Sequence, residues 1–327
     1  SIASKQWVWQ QYDHMVRLGA TVLPGSDAAV FIVREANKIL AASTDCNAIY
    51  CKQDPREGGR IAVAEAARNI ACTGAIPLAV TDNLNFGNPH KPENFLQLRE
   101  AIEGLAEACR AFDTPVTGGN VSLYNESPAG AIDPTPTVGM VGLVEKPEHI
   151  TTQAFKAAGD IILLIGEAGD ELGASHYLLA IHGRKAGAPP QLDYAKELGV
   201  QNAVRDLIRQ GLVRSAHDCS EGGLAVNLAE SCLSGNLGAQ TEIPGTRADV
   251  ALFNESQSRI VITISRENAA KAEEFLKSKS IPHSRLGTVI ADPTLSIQTT
   301  GKTFTWTLEK LRAPFEKTIP SLMSWEK

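Results

Sequence analysis

A dense run of amide and carboxylate side chains occupies residues 81–89. One aspartate, Asp82, and three asparagines fall within seven positions, directly after an apolar strand predicted over Ile76–Thr81. Asparagine and aspartate commonly form the side-chain hydrogen bonds of a turn, and a turn uses about two such residues. The excess of hydrogen-bonding groups predicts a binding site at the end of this strand.

A second run, Thr117–Glu126, combines glycine with hydrogen-bonding side chains. The pair Gly118-Gly119 allows a ligand to approach the backbone closely. Asn120 offers an amide oxygen to a metal ion, and Ser122 offers a hydroxyl donor to a phosphate or hydroxyl group. The alternative interpretation is an ordinary hairpin turn.

A third group joins carboxylates to glycines before a predicted helix. Asp45 follows an apolar strand, and Asp54 and Glu57 stand beside Gly58-Gly59. Glycines before a helix let backbone N–H groups approach a phosphate, and a nearby carboxylate can hold Mg²⁺. An ordinary loop with a capping acid is the alternative.

Two further polar segments, His217–Leu224 and Asn254–Arg259, come later in the chain. The first places His217, Asp218 and Ser220 close in sequence, but the members of a catalytic triad meet in space and not in sequence, so no triad is predicted. The second precedes a strand and is interpreted as either a polar binding edge or a solvated loop.

Composition excludes several classes of protein. The chain has 327 residues, which predicts about two domains, and its formal charge of -6 disfavours a nucleic-acid binder. The sequence has no apolar run near the roughly 18 residues that span a bilayer. Six scattered cysteines without a CxxC pair indicate reduced thiols in a cytosolic protein. A Walker motif, a GxGxxG unit, an HExxH helix and a GxSxG elbow are all absent from the sequence.

Strands and helices alternate irregularly, which predicts an α+β fold. We predict a lead-in segment at 1–22, an amphipathic stretch with apolar residues at helical spacing. A first domain follows at 23–147 and a second at 148–327, with the boundary at Lys146-Pro147-Glu148-His149. Because the chain begins at Ser1 without a methionine, we expect it to be a processed piece of something longer.

Taken together, these motifs resemble the C-terminal half of phosphoribosylformylglycinamidine synthases of the small bacterial type. The Asp218-x-Ser220-x-Gly222-Gly223-Leu224 pattern is shared more widely, with aminoimidazole ribonucleotide synthetase and its relatives. The segments that carry the resemblance occur in one order: Asp54–Gly59, Thr81–Pro89, Thr117–Glu126, Pro134–Gly142, His217–Leu224 and Glu255–Arg259.

The resemblance implies an aminoimidazole ribonucleotide synthetase-like unit, with an N-terminal ferredoxin-like domain and a C-terminal α/β sandwich domain. It assigns Asp82 and Gly119 to ATP, Asn120 to Mg²⁺ and Ser122 to the substrate. It assigns no catalytic residue to this chain, because the catalytic histidines of the family lie in the first copy of the unit. We expect the turns at Asp82 and Gly119–Ser122 to converge on one side of the fold.

The family reaction converts formylglycinamide ribonucleotide to formylglycinamidine ribonucleotide in purine biosynthesis. ATP phosphorylates the amide oxygen, and ammonia displaces the phosphate. The implied partners are the first half of the enzyme, a separate glutaminase subunit and a small accessory subunit. An apolar sheet face also makes a homodimer plausible. With half of the cleft missing, we expect the isolated chain not to catalyse the full reaction.

Two other interpretations remain open on the sequence. A stand-alone enzyme similar to aminoimidazole ribonucleotide synthetase would act without a second copy. A non-catalytic nucleotide-binding scaffold half would use its nucleotide only for structure and assembly.

Overall fold

The chain folds into two mixed sheets with flanking helices. The structure is a computed structural model that describes residues 2–324. Residue 1 of the predicted lead-in and residues 325–327 of the predicted second domain lie outside the described residues. The first sheet has six strands in the order β1-β2-β3-β8-β4-β5, with a two-stranded ribbon β6–β7 beside it. Its elements are β1 (Ala20–Val22), β2 (Ala29–Val33), β3 (Lys38–Asp45), β4 (Ile76–Asn85), β5 (Val116–Ser122), β6 (Glu126–Ser127), β7 (Gly130–Ala131) and β8 (Thr135–Val144), with helices α1 (Gln6–Trp9), α2 (Ala48–Gln53), α3 (Pro55–Cys72) and α4 (Pro92–Phe112).

The second sheet has seven strands in the order β10-β12-β9-β13-β11-β14-β15. Its elements are β9 (Ile161–Ile165), β10 (Val213–Asp218), β11 (Gly238–Glu242), β12 (Ile260–Ile264), β13 (His283–Ile290), β14 (Thr294–Thr299) and β15 (Lys302–Thr307), with helices α5 (His176–His182), α6 (Tyr194–Arg209), α7 (Gly223–Gly235), α8 (Ala248–Phe253), α9 (Ala269–Ser278) and α10 (Leu308–Met323).

The predicted lead-in does not form one amphipathic helix. Helix α1 ends at Trp9, and positive φ angles of 60° at Arg17 and 50° at Leu18 interrupt any helical path. Strand β1 then pairs with β2 and extends the first sheet. Since Tyr12 and Leu18 are each 73 % exposed, most of the apolar stripe predicted here does not pack within residues 2–324.

Helix α3 forms the centre of the first domain. Asp54 caps it by accepting a hydrogen bond from the Glu57 N–H at 3.0 Å, and Pro55 occupies its first turn. Its apolar residues, among them Val63 and Ile70, are fully buried against the sheet. Val138 and Met140 of strand β8 point into the same core, so this face of the first sheet is covered by helices.

The opposite face of the first sheet is apolar and partly exposed. Side chains alternate along a strand, so Val141 and Leu143 of β8 point away from the helices. Leu40 of β3 pairs with Leu143, and Phe31 of β2 pairs with Leu40. Val141 is 39 % exposed. We call this surface the open sheet face.

The second sheet is covered on both faces. Leu163 and Ile262 pack on the side of α6 and α9, and Ile162 and Leu164 pack on the side of α7, α8 and α10. All residues of β9 are buried, which is the pattern of a strand enclosed between two helical layers. No helix within residues 2–324 has the length and apolar character needed to cross a bilayer.

Candidate functional site

The polar runs that were predicted as turns lie on adjacent parallel strands. Strand β4 extends to Asn85, and β5 runs through the glycine pair to Ser122. Three pairs result, namely Asp82 with Gly119, Asn83 with Asn120, and Asn85 with Ser122. The two runs are therefore brought together at the outer edge of the first sheet, by strand pairing and not by loop conformation.

The expected convergence on one side of the sheet is wrong for Asp82. Its partner on β8 is Val138, which is fully buried in the helix-covered core, so Asp82 points toward the helices. Asn83 pairs with Thr137 and points toward the open sheet face, as does Asn120. Side-chain alternation thus separates Asp82 and Gly119 from Asn120 and Ser122 across the edge strand.

Gly119 leaves space for the Asp82 carboxylate. A Cβ atom at position 119 would overlap this carboxylate, whereas a Cβ at Gly118 would meet no atom within 4 Å. The absence of side chains at Gly118 and Gly119 therefore forms a notch in β5 beside Asp82. Partial burial raises the pKa of Asp82 above its ordinary value.

An asparagine network lies on the open-face side of the edge. The Asn120 Nδ2 atom donates to Asn83 Oδ1 at 3.4 Å, and Asn85 Nδ2 donates to the same oxygen at 3.3 Å. Asn120 is exposed, and with its amide nitrogen in this hydrogen bond its amide oxygen faces away from Asn83. A hard oxygen donor is thus presented at the surface.

Ser122 is held at the end of β5 by Asn125. The Ser122 hydroxyl lies 3.3 Å from Asn125 Oδ1, and Asn125 Nδ2 donates to the backbone oxygens of Ser122 at 2.9 Å and Phe86 at 3.1 Å. Glu126 accepts hydrogen bonds from Asn88 N at 2.9 Å and from Lys91 Nζ at 2.8 Å. These contacts fasten the connection between β4 and α4 beside Ser122.

These donors suit a magnesium ion that is shared with a phosphate. Mg²⁺ prefers oxygen ligands and is commonly bound through few protein atoms plus substrate phosphates. Within residues 2–324 no group of three or more His, Cys, Asp or Glu side chains could hold a metal by itself. The Asn120 amide oxygen fits a magnesium site with few protein ligands, in which phosphate oxygens complete the coordination of the ion.

An acid-lined cleft between the two domains was not predicted as one site. Its volume is about 850 Å³, and its walls include Asp45, Glu65, Asn69 and Glu221. Burial raises the pKa of Glu65 well above its ordinary value, and neighbouring carboxylates, above all Asp45, raise it further. The spacing of Glu65 and Asn69, one helical turn apart on α3, is the signal in the sequence that could have found it.

Of the two interpretations of the Asp54–Gly59 motif, the phosphate loop is wrong, and Asp54 is a capping acid as in the alternative. Both glycines lie inside α3, where a Cβ at Gly58 would come within 2.6 Å of Cys51 and a Cβ at Gly59 within 2.5 Å of Ala101. They permit close packing of α3 against α2 and α4. Glu57 accepts from Leu192 N at 2.6 Å and from Arg60 Nη1 at 2.7 Å, which is a structural role.

The segments at 217–224 and 254–259 form buried joints between the domains. Glu255 accepts hydrogen bonds from Tyr50 Oη at 2.5 Å, Gly222 N at 2.8 Å and His176 N at 2.9 Å. This segment is neither a solvated loop nor an exposed binding edge, since residues 254–259 are all buried.

Arg68 of α3 completes this joint. It is fully buried and donates to Glu197 at 2.8 Å, to Gln257 at 3.1 Å and to Asp218. The ring of His217 lies between Asp27 at 3.1 Å and Glu230 at 3.0 Å. These hydrogen bonds link elements of both domains.

Comparisons with known proteins agree with this architecture. Residues 25–144 match the N-terminal domain of AIR synthase related proteins, and residues 157–300 match the C-terminal domain of the same proteins. The chain is 53 % identical over 293 residues to the phosphoribosylformylglycinamidine synthase subunit PurL of Alkaliphilus metalliredigens, covering 89 % of this chain and 40 % of that protein.

Solved structures show the same fold. The chain superposes on Thermotoga maritima PurL complexed with FGAR at a TM-score of 0.72 and 20 % identity, covering 90 % of this chain and 47 % of that one. The T. maritima PurL complex with ATP gives a TM-score of 0.68 at 19 % identity, covering 90 % and 46 %. This chain thus spans less than half the length of the PurL proteins it matches.

The two matched domains together account for most of the sequence. Their fold is the α+β arrangement that the motifs predicted. The chain therefore belongs to the family of AIR synthase related proteins, with one N-terminal and one C-terminal domain of that type, and it is similar to part of a PurL subunit.

Proposed function

We propose that this chain is the C-terminal half of an ATP-dependent phosphoribosylformylglycinamidine synthase. One observation carries the proposal. The parallel pairing of β4 with β5 brings Asp82, Gly119, Asn120 and Ser122 to one exposed sheet edge, in a chain 53 % identical to a PurL subunit. The complexes of T. maritima PurL with FGAR and with ATP support the choice of ligands.

In this proposal ATP lies along the glycine edge of β5. The backbone of Gly118 and Gly119 borders the nucleotide, and Asp82 contacts it through the notch at Gly119. Asn120 is the magnesium ligand on the open-face side, and Ser122 contacts the ribonucleotide substrate. The nucleotide therefore extends around the edge strand β5 and contacts both faces of the sheet, because Asp82 lies on one face and Asn120 on the other.

The reaction activates a poor electrophile. ATP phosphorylates the amide oxygen of the formylglycinamide group. Ammonia then displaces phosphate from the carbon atom of that amide. When bound, Mg²⁺ neutralises negative charge on the phosphates. The chain's own residues position the reactants, because Asn120 and Ser122 are neutral groups held by hydrogen bonds to Asn83 and Asn125.

The missing half of the cleft comes from another unit. The open sheet face presents Phe31, Leu40, Val141 and Leu143, an apolar surface suited to the matching face of a first copy. A second copy of this chain could cover the same face. We further propose a separate glutaminase subunit as the source of ammonia, a small accessory subunit, and a cytoplasmic location.

A binding experiment tests the site. Isothermal titration of the chain with ATP and Mg²⁺ should show binding that Asn120→Ala weakens about tenfold or more, because one oxygen ligand is lost. Asn202→Ala, an exposed asparagine on α6, is the matched control and should leave the affinity unchanged. Tight binding that Asn120→Ala does not affect would instead support the scaffold half.

A turnover assay tests the assignment of catalytic groups. The chain alone, given ATP, formylglycinamide ribonucleotide and ammonium, should show no turnover, since the catalytic residues belong to the partner copy. Turnover comparable to a complete synthase would contradict the proposal and would support a stand-alone synthetase.

A further inference from the structure

We propose that Asn83 is a positioning residue that orients the Asn120 amide so that its oxygen, and not its nitrogen, meets a divalent cation. The inference rests on the proposed function, in which Asn120 is a magnesium ligand. It assigns a role to the excess asparagines of the 82–88 run, which strand formation alone leaves unexplained.

The contacts define a relay across the sheet edge. Asn83 and Asn120 are direct neighbours on parallel strands, and Asn83 Oδ1 accepts from Asn120 Nδ2 at 3.4 Å. Asn85 donates to Asn83 twice, to the side-chain oxygen at 3.3 Å and to the backbone oxygen at 2.9 Å. Asn85 also lies 3.4 Å from the backbone oxygen of Thr135 on β8.

Orientation matters because the two ends of an amide differ in charge. A side-chain amide has a carbonyl oxygen that accepts and an NH₂ group that donates, and the two are almost equal in size. If Asn120 rotates by half a turn about its last bond, it presents hydrogens to the cation in place of an oxygen. The acceptor at Asn83 favours one of these two orientations.

The side-chain amide of Asn83 is itself held in the orientation that this role requires. Its oxygen can accept from Asn120 only if that oxygen points along the strand edge, and the donor at Asn85 holds it there. All three asparagine side chains are in contact with solvent to some degree, so water competes for their hydrogen bonds and their contribution to folding is small. Partners that orient a metal ligand in this way commonly change metal affinity by about ten- to a hundredfold.

The test measures the Mn²⁺ retained with the protein in ultrafiltration at a fixed ATP concentration, so that Mn²⁺ bound only to free ATP passes the membrane and is not counted. Mn²⁺ is the probe because it prefers the same oxygen ligands as Mg²⁺. Asn83→Ala should weaken Mn²⁺ binding about tenfold. Asn83→Asp keeps the acceptor and should retain wild-type affinity or exceed it. Thr137→Ala, the neighbour of Asn83 on β8, is the control and should behave as wild type.

A double variant separates this inference from the proposed function. If Asn83 acts through Asn120, Asn83→Ala should cause no further loss in an Asn120→Ala background. Failure of Asn120→Ala to weaken binding would overturn the proposed site itself. Loss with Asn120→Ala but wild-type affinity with Asn83→Ala would overturn the positioning role alone. Equal losses with Asn83→Ala and Asn83→Asp would also overturn it.

A second readout needs no metal. In NMR spectra of the metal-free protein that resolve side-chain amides, one Asn120 side-chain hydrogen should show the downfield shift of a hydrogen bond, which Asn83→Ala removes and Asn83→Asp, which keeps an acceptor, does not. Unchanged Asn120 signals in Asn83→Ala would show that no such hydrogen bond forms in solution.

Discussion

The two sheets of this molecule differ in how their faces are covered, and the difference determines what their polar residues can do. In the second sheet helices pack on both faces, and the polar motifs beside it are buried in hydrogen bonds between elements. In the first sheet one face stays open, and the polar residues of its edge strand are exposed.

Similar polar sequence patterns are therefore buried in one sheet and exposed in the other. The Glu255–Arg259 run and the Thr117–Glu126 run each contain a carboxylate and at least one amide side chain. Hydrogen bonds from within the chain satisfy the Glu255 carboxylate. The Asn120 amide donates through its nitrogen to Asn83, and its oxygen faces outward. Burial converts a polar motif into a structural joint, and an uncovered edge keeps a motif available for a ligand.

The largest expected contrast is between a buried and an open strand position. Leu163→Asp places a carboxylate in the enclosed core of the second sheet and should cost more than about 4 kcal/mol, enough to prevent folding. Val141→Asp on the open sheet face should cost less than about 1 kcal/mol. Urea unfolding of both variants checks this, and equal destabilisation would mean that the open face is covered.

Removal of the buried guanidinium should have the next largest effect. Arg68→Met leaves Glu197 and Asp218 without their counter-charge and should destabilise the protein by about 3–5 kcal/mol in chemical unfolding. Arg99→Met removes an arginine whose ion pair lies at the surface and should leave the unfolding midpoint unchanged. Similar unfolding midpoints for the two variants would contradict the stabilising role of Arg68 between the domains.

Stability should depend on pH through His217. Burial lowers its pKa, but Asp27 and Glu230 raise it more, so the folded-state pKa lies well above the ordinary value of 6.5. The stabilising contribution of this histidine is therefore complete below pH 6.5 and is lost as the pH rises through the folded-state pKa.

The variant His217→Gln isolates this contribution. Its stability deficit relative to the natural chain should be about 1.5–3 kcal/mol at pH 6 and should shrink as the solution becomes alkaline. Thermal unfolding between pH 6 and pH 10 measures it. A deficit that grew with pH would show that His217 is neutral in the folded protein.

The smallest expected effect concerns the glycine notch at the open edge. Gly119→Ala forces the Asp82 carboxylate to move and should cost about 1–3 kcal/mol and weaken ATP binding. Gly118→Ala meets no neighbouring atom and is the matched control for stability. Calorimetric titration and urea unfolding check both variants, and an ATP affinity of Gly119→Ala equal to that of the natural chain would remove Asp82 from the nucleotide site.

Much of the fold was predictable because its signals are local. The apolar run over Ile76–Thr81 predicted a strand, which forms the first part of β4, and the irregular alternation of strands and helices predicted the α+β class. The lead-in failed as a helix because pairing with β2 extends its end as strand β1. Gly58 and Gly59 suggested a phosphate loop, yet they serve close contacts between helices, a requirement that only tertiary packing imposes.

The candidate residues were singled out by their types and expected to converge, but their division between the two faces of the sheet edge was not predicted. Asp82 and Asn120 stand 38 positions apart, and nothing local indicates that they lie on opposite faces of one sheet edge. The acid-lined cleft likewise gathers Asp45, Glu65 and Glu221 from distant parts of the chain.

The sequence by itself determined the α+β class, the two-domain order and the set of polar residues, because periodicity and side-chain chemistry are written along the chain. Only the tertiary structure decided which of those residues stay at an exposed sheet edge and which connect the two domains. Strand register assigns each side chain to a face, and helix packing decides whether that face retains contact with water.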